Sequence, residues 1–143
     1  MKKVFFGIVV YGIGMSCTPR PEEIKYGKDL CHFCTMTIVD NKYAAQYVTN
    51  KGRAYKFDAI ECLVQEIEDR QENELAIILV SDYNNPGKLI DARSANFIIS
   101  KAISSPMGAN LMAIKDTNSL SNTMVGKDAQ QYNWPDICIK LQD

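Results

Sequence analysis

Apolar and polar positions change rhythm several times along this chain, and each change predicts an element. Thr35-Met36-Thr37-Ile38-Val39 and Tyr43-Ala44-Ala45-Gln46-Tyr47-Val48-Thr49 alternate, with the polar Asp40-Asn41-Lys42 between them. Two alternating runs joined by a turn predict a β-hairpin. Asn50-Lys51-Gly52 predicts a second turn, and Arg53-Ala54-Tyr55-Lys56-Phe57 a third short strand. The period then lengthens. Asp58 stands where an N-cap belongs, Glu61 follows three residues on, and Ile60, Leu63, Val64 and Ile67 recur at helical spacing. That predicts a helix over 59–71. Leu75-Ala76-Ile77-Ile78-Leu79-Val80 is continuously apolar and predicts a central strand buried on both faces.

After a turn-rich loop around Asn84-Asn85-Pro86-Gly87, shorter strands are predicted at 89–92, 95–100 and 111–114. Ser105-Pro106-Met107-Gly108 is a tight turn, in which proline and glycine on either side display the methionine. A second, weaker helix is predicted over 119–131, capped by Ser119 or Ser121, with Leu120, Met124 and Val125 as a partial apolar face. Gly126 weakens it. Trp134-Pro135 and a last strand over 137–141 close the chain. The order of strands, helix and strand, twice over, predicts an α+β domain with a duplicated plan, although no self-similarity of sequence accompanies it.

The first residues follow a different logic. Lys2 and Lys3 precede an apolar run over 4–13, and Gly14-Met15-Ser16 leads to Cys17. This predicts an export signal, because about ten apolar residues are too few to span a bilayer. A cysteine directly after a small residue predicts a lipoprotein signal peptide over 1–16, with Cys17 lipidated. Gly14 and Met15 depart from that pattern's usual leucine and small or β-branched residue. With Pro19, Pro21 and little apolar content, 17–29 reads as a flexible tether, leaving 30–143 as one folded domain.

Formal net charge is −1 for the whole chain, and removing Lys2 and Lys3 makes it modestly more acidic. No basic face for nucleic acid is expected. A single histidine, no glycine-rich phosphate loop and no Ser/His/Asp constellation argue against a hydrolase or transferase. With Cys17 assigned to lipid, Cys31, Cys34, Cys62 and Cys138 remain in an oxidising compartment. Their even number permits disulfides without specifying any.

The chemistry concentrates in Cys31-His32-Phe33-Cys34-Thr35-Met36, where two thiols and a thioether flank the only histidine. Thiolate and thioether together suit Cu(I), since Zn(II) seldom takes methionine and hard cations prefer oxygen. The same spacing also reads as a CxxC redox pair, a plain disulfide or half of a structural zinc site. A redox pair is better placed opening a helix, and here the pair precedes alternating, strand-like sequence. A structural zinc site needs four ligands, and no second close-spaced pair exists. A c-type haem site is excluded because Thr35 follows Cys34. Candidate ligands are therefore Cys31, Cys34, Met36 and His32, with Met107 from its turn closing the site. Met107 reads equally as core packing. Clustering puts Cu(I) affinity on Cys31, Cys34 and Met36 rather than on Cys62 or Cys138; Cys62 reads equally as a buried small hydrophobe.

Taken together, these motifs resemble the family of nitrous-oxide reductase accessory lipoproteins, NosL. The resemblance is carried by Cys31-His32-Phe33-Cys34-Thr35-Met36, Phe57-Asp58-Ala59-Ile60-Glu61-Cys62, Val80-Ser81-Asp82-Tyr83, Ile90-Asp91-Ala92 and Ser105-Pro106-Met107-Gly108-Ala109-Asn110-Leu111. It runs from about Leu30 to Ile114. Two positions depart from the family pattern: Ala59 stands where a second aspartate is usual, and Leu63 where methionine follows the helix cysteine. The resemblance implies a single domain of two small ββαβ-type units. It implies a membrane-anchored, periplasmic-side carrier of Cu(I), not an enzyme, that serves copper-centre assembly in nitrous-oxide reductase beside an ABC-type transporter. Two alternatives stay open, a thiol–disulfide oxidoreductase using Cys31 and Cys34 and a general copper-handling lipoprotein. A copper-bridged homodimer is also left open.

Overall fold

The computed structural model describes residues 18–120 and 125–143. The signal peptide predicted over 1–16, Cys17 and the 121–124 part of the second predicted helix lie outside the described residues.

Two antiparallel sheets and two helices make up the described fold. In the first sheet β1 (Ala45–Thr49) lies between β2 (Ala54–Phe57) and β3 (Leu75–Ser81), and β4 (Leu89–Asp91) pairs with the far edge of β3. The turn at Asn50-Lys51-Gly52 closes with Gly52 at φ 82°, so β1 and β2 form a hairpin with Tyr47 opposite Tyr55. Helix α1 (Ile60–Ile67) connects β2 to β3. The first unit therefore runs β-β-α-β. In the second sheet β5 (Asn96–Ile99) lies between β6 (Leu111–Ile114) and β7 (Gln130–Tyr132), and helix α2 (Trp134–Gln142) follows. A single parallel bridge from Asp82 to Ala113 joins the two sheets. Together these elements form the expected α+β domain.

Helix α1 presents Ile60, Cys62, Leu63 and Val64 to the core, where they meet Tyr47, Phe57, Ile78 and Ile137. Each such side chain contributes about 1.5–3 kcal/mol by leaving water. The helix stops at Ile67, short of the predicted 71, because no apolar residue follows until Leu75 and further turns would bury nothing. Its N-cap position is Ala59, not Asp58. The Asp58 carboxylate is turned away and accepts the backbone N–H of Val39.

Four other expectations are corrected. The second helix predicted over 119–131 does not reach that far, because Gln130–Tyr132 is β7. Residues 35–39 do not pair with 43–49: Leu30 bridges Thr37, and the segment folds back on 27–31, with Gly27 N–H bonded to Ile38 O at 2.8 Å and Ile38 N–H to Asp29 O at 2.9 Å. The alternation there was misleading because only Ile38 is buried, while Met36 and Val39 are exposed. The segment read as a tether is held to the domain from Glu22 onward. Ile24 is buried, and the buried Gln46 side chain pairs with the Glu22 backbone, accepting from its N–H and donating to its carbonyl at 2.8 Å each. A polar residue in a central strand needs a partner, and the N-terminal segment supplies it. Finally, 137–141 is helical. Trp134, Ile137, Cys138 and Leu141 lie on one side at helical spacing, Ile139 is exposed, and Asn133 caps the helix by accepting the Asp136 N–H at 2.9 Å.

Candidate metal centre

The loop that carries Cys31 and Cys34 is a small closed turn. Cys31 N–H donates to Met36 O at 2.8 Å, and Thr35 N–H donates to Cys31 O at 2.9 Å. Thr35 sits at φ 64°, a left-handed conformation that a β-branched residue rarely adopts. The chain there is bent tightly enough to turn Cys31 and Cys34 toward the same place. His32 N–H donates to Lys56 O at 2.8 Å and moors the loop to β2. Lys56 moors it a second time, its ammonium reaching the Asp29 carboxylate at 2.8 Å, which holds that carboxyl below its usual range.

From the other side comes α1. Cys62 lies in its first turn, and the sulfurs of Cys31, Cys34 and Cys62 all lie within 4.8 Å of one another. All are free thiols, as is Cys138. No histidine or carboxylate joins the three among the described residues. Cys62, which spacing alone leaves outside the site, is thus a full member of the cluster. Cys31 and Cys62 are buried and Cys34 half-buried.

The three thiols are electrostatically unequal. Cys31 is held well below the ordinary thiol range because Cys62 donates its S–H to it, and because the backbone N–H groups of Cys34 and Asp58 point at the same sulfur. Cys62, the donor of that bond and buried, is pushed up. Burial also raises Cys34, against the pull of the Met36 backbone N–H. Of the three, Cys31 is the sulfur that gives up its proton most readily, and together they make an all-sulfur donor set suited to a soft cation.

The other sequence candidates are placed differently. The Met36 side chain is exposed, and what the residue gives the cluster is its backbone N–H. His32 faces Glu66, Nε2 to Oε1 at 3.6 Å, and packs edge-on against Tyr55 with ring centroids 4.5 Å apart. It lines a cleft of about 440 Å³ with Cys31, Asp29, Arg53, Tyr55 and Lys56. Met107 is 40% exposed in a turn closed by Gly108 N–H to Ser105 O at 3.0 Å, with Gly108 at φ 82°. The turn displays the methionine as its sequence predicts. Cys138 lies on α2 beside Ile67, Leu75 and Trp134, where burial pushes its thiol up to about 11.

Asp58 was missed as a site residue because its contribution is a backbone N–H, which every residue but proline owns. A signal for Cys62 did exist. It lies in the stretch Phe57-Asp58-Ala59-Ile60-Glu61-Cys62, one of those that carry the family resemblance.

Among solved structures, the chain is similar to the copper chaperone NosL from Shewanella denitrificans, at 17% identity and a TM-score of 0.68, covering 83% of this chain and 96% of that one. At that identity the likeness speaks to the fold. No curated protein sequence matches significantly. The pattern that defines the NosL family matches residues 23–138, from the segment that pairs with Gln46 to the last helix. With the greater part of its length inside that match, the chain belongs to the NosL family.

Proposed function

We propose that this protein carries Cu(I) at the Cys31, Cys34 and Cys62 cluster, outside the cytoplasm, and delivers it for the copper centres of nitrous-oxide reductase. The observation that carries this reading is the convergence of three sulfurs within 4.8 Å, with no histidine or carboxylate joining them among the described residues. Soft donors favour Cu(I) over the hard divalent cations. A similar structure bears the name copper chaperone, which agrees with the donor set. Carriage requires only ligand exchange, so the protein acts as a carrier rather than an enzyme. An ABC-type assembly transporter is the expected partner at the membrane, beside the reductase itself.

The decisive experiment titrates the reduced protein with Cu(I) against a competing chelator. Cys31→Ser with Cys34→Ser should abolish tight binding, and Cys138→Ser should leave it unchanged. Tight binding in the double variant would end the proposal. One ion per chain, against one per two chains, separates a monomeric site from a copper-bridged homodimer. The rival thiol–disulfide oxidoreductase needs the same two cysteines but no Cys62, so reductase turnover surviving in Cys62→Ser would favour it.

Anchoring is proposed through Cys17, on the short apolar run that ends at Ser16. Two acyl chains hold a protein at a membrane where one does so only reversibly. Cell fractionation should find the wild type with membranes and Cys17→Ala in the soluble fraction; identical partition of the two would refute the anchor.

A further inference from the structure

The turn that displays Met107 hangs from a single buried carboxylate. Ser105 Oγ donates to Glu61 Oε1 at 2.6 Å, and Ala109 N–H donates to the same oxygen at 3.3 Å. Ser105 Oγ also accepts the Leu111 N–H at 3.3 Å, so the hydroxyl links the turn to the start of β6. Glu61 thus grips the chain on both sides of Met107. It does so from the first turn of α1, next in sequence to Cys62. The residue is only 4% exposed, and its Oε2 is buried without a hydrogen-bond partner.

A carboxyl group is a costly way to fill this place. Burying one with a single oxygen satisfied is unfavourable, whereas an apolar side chain of the same size would pack without that penalty. Stability alone therefore does not account for Glu61. What it supplies is a geometric tie between the helix that bears a thiol of the metal centre and the turn that bears an exposed thioether.

Resting on the reading of the centre as a Cu(I) site, we propose that Glu61 is a positioning residue that holds Met107 within reach of the ion bound by the three thiols. Met107 adds a neutral, weaker donor that can be the first to leave during transfer. Glu61 itself never touches the ion.

The test is a double-mutant cycle on the mature chain, with Glu61→Ala, Met107→Leu and both together. Cu(I) affinity is read by chelator competition, thermal melting is recorded alongside, and methyl-13C methionine NMR follows the Met107 methyl, assigned from its loss in Met107→Leu. Glu61→Ala should weaken Cu(I) binding about 10–100-fold, the scale on which outer-shell partners act. The double variant should be no weaker than Met107→Leu, because the two changes remove one interaction. The Met107 methyl should shift on Cu(I) addition in wild type and not in Glu61→Ala. Glu61→Gln, which keeps the acceptor oxygen, should restore both readouts.

A folded Glu61→Ala with wild-type affinity, a loss fully additive with that of Met107→Leu, or a Met107 methyl that moves as in wild type would each overturn the proposal. Should Glu61→Ala not fold, Ser105→Ala removes the shorter of the two bonds and must show the same coupling. The carrier reading fails separately, through tight binding by Cys31→Ser with Cys34→Ser.

Discussion

Cys62→Ser is expected to weaken Cu(I) binding more than any other single change among the described residues away from Cys31 and Cys34. The hydroxyl fits where the thiol was and can still donate to Cys31, so the fold should melt as before. As a hard donor it holds Cu(I) poorly. The loss should exceed the ~10–100-fold typical of outer-shell changes, because a direct ligand disappears. Proton release supplies an independent readout. Cys62 is raised first by its bond to Cys31 and then by burial, and Cys34 by burial, so these two bring protons to the site, whereas Cys31 is held well below the ordinary thiol range. Copper must displace the protons it finds, so wild type should release about two per ion at pH 7 and the variant about one. Affinity should accordingly rise with pH below the two raised values. Unchanged affinity with unchanged proton release would remove Cys62 from the site.

The largest expected loss of stability comes from Phe57→Ala. Phe57 is fully buried, stacks on Tyr47 with centroids 5.6 Å apart and meets the edge of His32 at 6.3 Å. Truncating a core phenylalanine costs about 3–5 kcal/mol, a large part of the ~5–15 kcal/mol that holds a domain folded. Phe57 also ends β2 and precedes Asp58, so its packing fixes the N–H that points at Cys31. Urea unfolding should show the loss, and Val39→Ala, at an exposed position, should show almost none. A cost below about 1 kcal/mol for Phe57→Ala would mean that the aromatic stack is not what supports the site.

Much of this was legible in the residues. The helix stripe from Ile60 to Ile67, the long apolar β3 and the turn around Met107 are local patterns, and local patterns survive folding. What escaped depends on distance along the chain. Cys62 reaches Cys31 only once β2 and α1 have folded over the loop, and no spacing rule spans that gap. Alternation misled at 35–39, because a period of two says which residues differ without saying what covers them. Gln46 was the overlooked clue to the N-terminal segment: a buried amide in a central strand requires a partner, and the apparent tether provides it.

Burial of the thiols also has a kinetic side. Cys31 and Cys62 are closed off, and Cys34 alone of the three meets solvent. For an ion held by the three sulfurs, Cys34 is thus the side from which an acceptor would bond before the carrier let go, an associative exchange. The rate of handover would then scale with acceptor concentration. Retention and delivery would thereby be decoupled, the same centre being slow towards water and fast towards a partner whose own soft donor fits against Cys34.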